Sequence, residues 1–238
     1  MVSPFYLFYL FLSLIPSFLW LIYFLRQDEH PESKKQISKI FILGALITLP
    51  AFLIETGFSN FLEYLNLPFF LNSFLTIFLG VAFVEEFLKY FVVKWQAIPS
   101  KEMDEPIDAM IYMITAAMGF ATVENVLLFF RADFSSDPLD PWIFLLMRFL
   151  GATFLHALAS GLLGFFLALV LFKKRSQFWL ISGLAIASFL HGLFNFVIIE
   201  IESFSKVYLL LMILSSLAFF VSWNLKRLKD LENYQIIK

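Results

Sequence analysis

Long apolar stretches separated by short polar breaks follow one another along most of this chain. A helix needs about 20 mainly apolar residues to cross the hydrocarbon layer of a bilayer. Seven stretches are long enough, and they predict membrane-spanning helices near residues 4–25, 38–58, 68–94, 106–131, 142–172, 178–199 and 204–225. The pattern therefore predicts an all-α fold, a polytopic membrane helix bundle.

The connections between these stretches are too short to fold separately, and no internal repeat of fixed period is visible. We therefore predict a single integral membrane domain over residues 1–238. The first stretch has no basic segment before it and ends at Arg26 without a small-residue cleavage pattern. We expect it to remain as a span and not to be removed as a signal peptide.

The amino-acid composition excludes an ordinary soluble domain. Hydrophobic residues make up 61% of the chain and charged residues 15%, whereas soluble domains are about half apolar and a quarter charged. We therefore expect the lipid bilayer to surround the chain, and we expect no nucleic-acid partner. The sequence has no cysteine, which excludes a cysteine nucleophile and a zinc–cysteine site.

Basic residues are distributed unevenly between the two sides of the predicted spans. With the amino terminus outside, the outer loops hold only Arg131 and Lys206. The inner loops and the tail hold Arg26, Lys34, Lys35, Lys39, Lys94, Lys101, Lys173, Lys174, Arg175, Lys226, Arg227, Lys229 and Lys238. The positive-inside rule predicts a multi-pass protein of the cell membrane with a cytoplasmic carboxy terminus. His30 lies in a charged inner loop, where we expect it to be hydrated and without a chemical role.

The third predicted span contains Glu85 and Glu86 side by side, with Lys89 one turn later. A charge at the centre of a bilayer costs at least about 3 kcal/mol, so such residues usually face a partner or a wet cavity. Helical spacing allows Lys89 to pair with Glu85 at i,i+4 or with Glu86 at i,i+3. One carboxylate would then be neutralised and the other left for acid–base chemistry. The alternative is a purely structural polar cluster.

The fourth and fifth predicted spans carry polar residues at a shared depth. Glu124 and Asn125 lie about as far from the outer face as Arg148 does, at about 1.5 Å per residue. An ion pair between Glu124 and Arg148 is therefore predicted. Such a pair either supports a site or only locks the two helices together.

Two histidines lie on ridges of small residues in consecutive antiparallel spans. Small residues let a neighbouring helix approach closely, so both imidazoles are expected to face another helix and not lipid. His191 and Asn195 are one turn apart, a pair suited to holding a water or a carbonyl oxygen. The two ridges are Ala152, His156, Ser160, Gly164 and Ala168, and Gly183, Ala187, His191 and Asn195.

Counting about 1.5 Å per residue places the glutamate pair and the two histidines at similar depths in the membrane. We therefore predict a four-helix catalytic or transport core at about residues 68–200. The first two spans carry few ionisable residues, with Glu55 near the outer end of the second. They are expected to form a lipid-facing wrapper.

These motifs together resemble the PrsW family of intramembrane proteases, which is related to the CAAX prenyl protease and bacteriocin-processing superfamily. The resemblance covers about residues 75–200, and the set is specific, whereas a doubled glutamate alone would not be. The matching residues are Glu85-Glu86-x-x-Lys89, Gly119-Phe120-Ala121 to Glu124-Asn125, Arg148 with His156, and His191-x-x-x-Asn195.

The resemblance implies a peptide-bond hydrolase inside the membrane. By analogy with the CAAX proteases, Glu85 is the base and Glu86 is its partner tied to Lys89, although the residues alone allow the reverse. His191 and Asn195 would stabilise the oxyanion, while His156 would orient the water or protonate the leaving amine. The supporting residues would be Lys89, Glu124, Asn125 and Arg148.

The sequence departs from the CAAX protease pattern at two positions. Lys89 stands where those enzymes have an arginine one residue further on, and Glu124 replaces the histidine of their FxxxH motif. PrsW-like proteins show both departures, which favours a protein substrate over a prenylated carboxy terminus. The resemblance implies a single-span membrane protein as substrate, such as an anti-sigma factor, cut near the outer face.

Three alternatives remain open at this point. Glu85, His156 and His191 could hold a catalytic zinc with water as the fourth ligand, but no HExxH motif is present, and metal-independent water activation is favoured. A non-catalytic membrane scaffold could keep the same residues, as the scaffold subunit of gamma-secretase does in that superfamily. A proton-coupled transporter could use buried glutamates and histidines as a relay, although such proteins usually show paired repeats.

Overall fold

The computed structural model describes residues 4–131 and 140–236, with side chains for residue 8 and for residues 11–131 and 141–229. In these ranges the secondary structure is entirely helical. The α-helices are α1 (Pro4–Leu25), α2 (Lys34–Tyr64), α3 (Phe69–Leu75), α4 (Val84–Gln96), α5 (Pro106–Arg131), α6 (Asp140–Met147), α7 (Thr153–Phe172), α8 (Gln177–Glu200) and α9 (Ser205–Ile236). Two π-helical segments, π1 (Thr76–Phe83) and π2 (Arg148–Ala152), join α3 to α4 and α6 to α7.

The helices confirm the predicted all-α polytopic bundle. Six helical stretches of the described chain are long and apolar enough to cross a membrane, and they begin with α2. The continuous stretches Phe69–Gln96 and Pro141–Phe172 each count as one span despite their π segments. In α1 the described apolar part is Phe11–Leu25. The chain is therefore a multi-pass membrane protein.

Helix α5 lies at the centre of the bundle and packs against α1, α2, α4, α7 and α9. Every residue from Pro106 to Thr122 is buried. Its sequence explains this position, because residues 109–121 are apolar on all sides with little polar face, and a helix that is hydrophobic all round is buried. In its last third the central helix carries Glu124 and Asn125, which lie close to the polar side chains of α7 and π2.

Glycines allow α2 and α7 to approach α5 closely. A Cβ on Gly119 of α5 would lie 2.0 Å from the Phe41 carbonyl oxygen of α2. A Cβ on Gly164 of α7 would lie 2.6 Å from the Met110 Cα of α5. The close helix approach predicted from the small-residue ridge of α7 is thus confirmed, and its partner there is α5.

Substitution of Gly119 by alanine is expected to destabilise the bundle by about 1–3 kcal/mol, because the methyl group meets rigid backbone and forces α2 and α5 apart. Gly57→Ala on exposed α2 is the matched control, since a Cβ there meets nothing within 4 Å. Thermal unfolding of the purified variants in detergent measures the effect. Equal unfolding temperatures for the two variants would contradict the packing described here.

The second span leaves most of its apolar stretch exposed, as expected for a lipid-facing wrapper, but one of its faces also packs against the core. Helix α2 packs along α5, and the Thr48 hydroxyl hydrogen-bonds to the Phe120 carbonyl oxygen of α5 at 3.3 Å. Thr48 and Glu55 also line a cavity next to Glu85. The sequence did not predict this contribution of α2 to the cavity, which arises because α5, being apolar all round, needs a neighbour on that side too.

Candidate active site

Lys89 lies at the centre of a buried polar cluster formed by α4, α5, α7 and α8. Its Nζ is 3.1 Å from Glu85 Oε2, 2.8 Å from Glu86 Oε1 and 2.8 Å from His156 Nδ1. The ammonium also lies 4.5 Å from the centroid of the Phe120 ring. The predicted pairing of Lys89 with the glutamates is confirmed, but Lys89 contacts both carboxylates and not only one.

Glu86 is enclosed on all sides. Its Oε1 lies near Lys89 and is 3.1 Å from His191 Nδ1, while its Oε2 accepts a hydrogen bond of 2.7 Å from the Ser160 hydroxyl. The side chain is completely buried. Both oxygens are therefore occupied by protein groups.

Glu85 differs from Glu86 because it lines a cavity. Its contacts with Lys89, His156 and His191 all use Oε2, and among the described residues no hydrogen bond or ion pair engages Oε1. The cavity has a volume of about 360 Å³. Its walls are formed by Thr48, Phe52, Glu55, Glu85, Phe120, Glu124, Leu127, Leu128, Phe130 and Arg131.

Glu124 links the cavity to His156. Its Oε2 is 2.8 Å from His156 Nε2 and accepts a hydrogen bond from Arg148 Nη2, which confirms the predicted ion pair. Arg148 Nε donates to the Asn125 side-chain oxygen, and Asn125 also bonds to the Thr153 hydroxyl at 3.1 Å. Glu124 therefore does more than join two helices, because it contacts the imidazole directly.

The hydrogen-bond partners assign the tautomers of both histidines, since a carboxylate can only accept. His156 donates from Nε2 to Glu124, which leaves the lone pair of Nδ1 to accept from Lys89. His191 donates from Nδ1 to Glu86, and in the neutral imidazole the lone pair of Nε2 then faces Glu85 at 3.9 Å. The two rings are perpendicular, with centroids 4.9 Å apart. Three electron-pair donors, one from each histidine and one from Glu85, thus converge.

The converging donor atoms fit a zinc ion. Glu85 Oε2 lies 3.6 Å from His156 Nδ1 and 3.9 Å from His191 Nε2, and all three ligand atoms lie within 4.8 Å of one another. Tetrahedral zinc with bonds of about 2.0–2.1 Å separates its ligands by about 3.3–3.4 Å. A metal-binding histidine typically donates a hydrogen bond from its other ring nitrogen to a carboxylate, as His156 does to Glu124 and His191 does to Glu86. Lys89 Nζ contacts two of these three atoms, Glu85 Oε2 and His156 Nδ1, so a bound ion would require the ammonium to move away from them.

Asn195 lies one turn beyond His191 on α8 and is half-buried. In the part of the chain that the structure describes, no hydrogen bond or ion pair joins its side chain to the cluster. Its role at the oxyanion therefore stays a prediction.

The sequence did not predict three features of the site. Glu55 of α2 faces the same cavity as Glu85, although an acid in an apolar span was a signal that pointed to it. Ser160 was noted only as a small residue, yet it binds Glu86. Segment π1 ends two residues before Glu85, and π2 ends four residues before His156. Such π-helical turns often occur at functional sites, but no sequence pattern used above could reveal them.

Comparison with known proteins connects this arrangement to one family. The sequence profile described as PrsW family intramembrane metalloprotease matches residues 32–223. A Protease PrsW of Oceanobacillus iheyensis is 27% identical over 202 residues, which cover 82% of this chain and 85% of that protein. A Protease PrsW of Bacillus subtilis is 28% identical over 194 residues, which cover 80% and 83% respectively. No solved structure matches the chain significantly.

Proposed function

Because the chain belongs to the PrsW family of intramembrane metalloproteases, and is thus a membrane-embedded peptidase, we propose that it hydrolyses peptide bonds of membrane-anchored proteins at Glu85. The observation that carries this proposal is the position of the Glu85 carboxylate between the buried cluster and the cavity. A water molecule in the cavity can reach Oε1 while Oε2 stays in the cluster. Glu86 has no such access, which supports Glu85 as the base.

In the proposed reaction, Glu85 Oε1 accepts a proton from water as the water oxygen attacks the scissile carbonyl carbon. The new C–O bond forms, the C–N bond breaks, and the proton passes to the leaving amine nitrogen. His156 has both ring nitrogens engaged, which supports a positioning role over protonation of the amine. Asn195 is the side chain proposed to donate to the oxyanion.

The tautomers favour the zinc alternative over the metal-independent mechanism that the sequence favoured. Glu85, His156 and His191 would hold the ion. Zinc at such a site polarises a carbonyl group and lowers the pKa of water. The protein's own contribution is to fix these ligands, since Glu124 and Glu86 orient the two imidazoles. His191 with a free Nε2 lone pair is suited to metal binding and not to donation to an oxyanion.

We expect purified protein to contain about one zinc per chain. His191→Ala should reduce that content to less than about one tenth, because a ligand is lost, whereas Asn195→Ala on the same helix should retain the metal. Inductively coupled plasma mass spectrometry after dialysis against metal-free buffer makes the comparison. Full proteolytic activity in protein without zinc would support the metal-independent mechanism instead.

Cleavage of a tagged single-span membrane protein in co-expressing cells tests the proposed function. Membrane-anchored regulators resembling anti-sigma factors are the substrates proposed for screening. We expect wild type to produce a fragment that Glu85→Ala, Glu86→Ala and His191→Ala do not produce, with exposed Glu63→Gln as the active control. Fragments in all three variants would overturn the site assignment, and no fragment from any of many substrates would favour a scaffold.

A further inference from the structure

A second group of acidic residues lies at the opposite end of α5 from Glu124. Asp28 follows α1, Glu32 precedes α2, and Asp108 lies in the first turn of α5. Each offers a carboxylate oxygen, and these oxygens lie within 4.8 Å of one another. The group is separated from Glu124 by 16 residues of α5, or about 24 Å at 1.5 Å per residue. It is therefore distinct from the catalytic cluster.

The backbone holds Asp108 in place and leaves one of its oxygens without a partner. Asp108 Oδ2 accepts hydrogen bonds from the backbone nitrogens of Asp104 at 3.0 Å and Glu105 at 2.6 Å. Oδ1 is buried, with the whole side chain inaccessible to solvent, and accepts no hydrogen bond from a donor group of the described residues, while the Asp108 carboxyl lies within hydrogen-bonding reach of the Glu32 carboxyl. A buried carboxylate oxygen without a partner is costly, since it has lost its hydration without replacement.

Two further carboxylate oxygens near this position also lack a hydrogen-bond partner. Asp28 Oδ2 and Glu105 Oε2 are buried and accept no hydrogen bond within the described chain. Tyr112 lies one helical turn after Asp108 and is completely buried, and its hydroxyl lies within hydrogen-bonding reach of Glu32. Three buried carboxylate oxygens without a partner at one position indicate a missing cation or proton donor.

Two basic residues lie near these carboxylates. His30, an exposed residue, lies 2.9 Å from Glu105 Oε1, and its backbone nitrogen donates to Asp28 Oδ1 at 2.9 Å. Lys229 pairs at 3.8 Å with the exposed Glu29, and both basic residues also attract the Asp28 carboxylate. Burial raises the pKa of Glu32 to about 7 and also raises the pKa of Asp28. Burial thus destabilises the ionised form of both carboxyl groups.

We propose that Asp28, Glu32 and Asp108 form a binding site for a divalent hard cation, Mg²⁺ or Ca²⁺, which fastens the loop between α1 and α2 to the start of α5. These cations take carboxylate and water oxygens as ligands, and the three side chains supply oxygens from two separate parts of the chain, the loop between α1 and α2 and the first turn of α5. The bound ion offsets the repulsion between the carboxylates. In the predicted topology the site faces the cytoplasm.

The test uses the full-length protein in detergent micelles at pH 7.5, freed of divalent ions by a chelator and then titrated with MgCl₂ or CaCl₂ at constant ionic strength set with KCl. We expect the unfolding temperature to rise by about 5 °C at saturation. Glu32→Gln should abolish this rise. Glu29→Gln is the matched control, since it removes one negative charge from the same loop and should leave the rise unchanged.

Two further measurements separate loss of cation binding from misfolding and from effects at the catalytic cluster. Glu32→Gln without added cation should unfold at the wild-type temperature or above it, because the substitution relieves repulsion, so loss of the cation effect cannot be ascribed to misfolding. His191→Ala should keep the rise, which separates this site from the catalytic cluster. The proposal would be overturned if neither salt raised the unfolding temperature at concentrations up to about 10 mM. An equal rise in Glu32→Gln and in wild type would overturn it too.

Discussion

Replacement of Glu85 by glutamine is expected to reduce the rate of substrate cleavage by about 10²- to 10⁴-fold, the contribution typical of a positioned acid–base group. The amide is nearly the same size as the carboxylate but cannot accept the proton of water. Because Glu85 faces the cavity and touches the cluster through Oε2 alone, the fold should be retained. Initial cleavage rates in proteoliposomes, together with thermal unfolding, measure both effects.

Glu86→Gln is the matched comparison for this prediction, since it makes the same chemical change one residue away. Glu86 is enclosed by Lys89, Ser160 and His191, so its substitution should lower the unfolding temperature as well as the activity. Activity retained by Glu85→Gln and lost by Glu86→Gln without destabilisation would reverse the two roles.

Replacement of Lys89 by methionine is expected to destabilise the protein by about 3–5 kcal/mol, the largest stability effect that we predict. The substitution leaves Glu85 and Glu86 adjacent and buried without a cation, and breaking a buried ion pair on one side is strongly destabilising. Lys94→Met, on the exposed last turn of the same helix, should change the free energy of unfolding by less than about 0.5 kcal/mol.

The double variant Glu86→Gln/Lys89→Met tests the cause of that loss. Removal of both charges of a buried pair is often nearly neutral, so the double variant should recover most of the stability lost by Lys89→Met alone. Chemical unfolding in mixed micelles gives the free energies for such a cycle. If the double variant instead loses as much free energy of unfolding as the two single variants combined, charge balance at Lys89 is not what stabilises the cluster.

The spans and much of the site follow from the sequence because charges are so costly in a bilayer. Lys89 beside two glutamates and Arg148 level with Glu124 were predicted as pairs from helical spacing and depth, and both pairs are present. Both pairs follow from the geometry of one helix or of two antiparallel neighbours.

The features that the sequence did not predict depend on packing between distant helices. Glu55 reaches the cavity because α2 lies against α5 through Gly119, a contact that no local pattern defines. Segments π1 and π2 shift the register of the residues that follow them, whereas the spacing argument assumed regular α-helices. The acidic group at Asp108 joins one loop to a distant helix start, which single-segment patterns cannot bring together.

The most direct test of the central claim, hydrolysis of membrane proteins at Glu85, is a comparison of new peptide termini in cells that express wild-type protein or Glu85→Gln at equal levels. Mass spectrometry of labelled termini should find cleavage sites within or beside the membrane span of one or a few single-span proteins in wild-type cells only. The same termini at equal abundance in Glu85→Gln cells would contradict the claim.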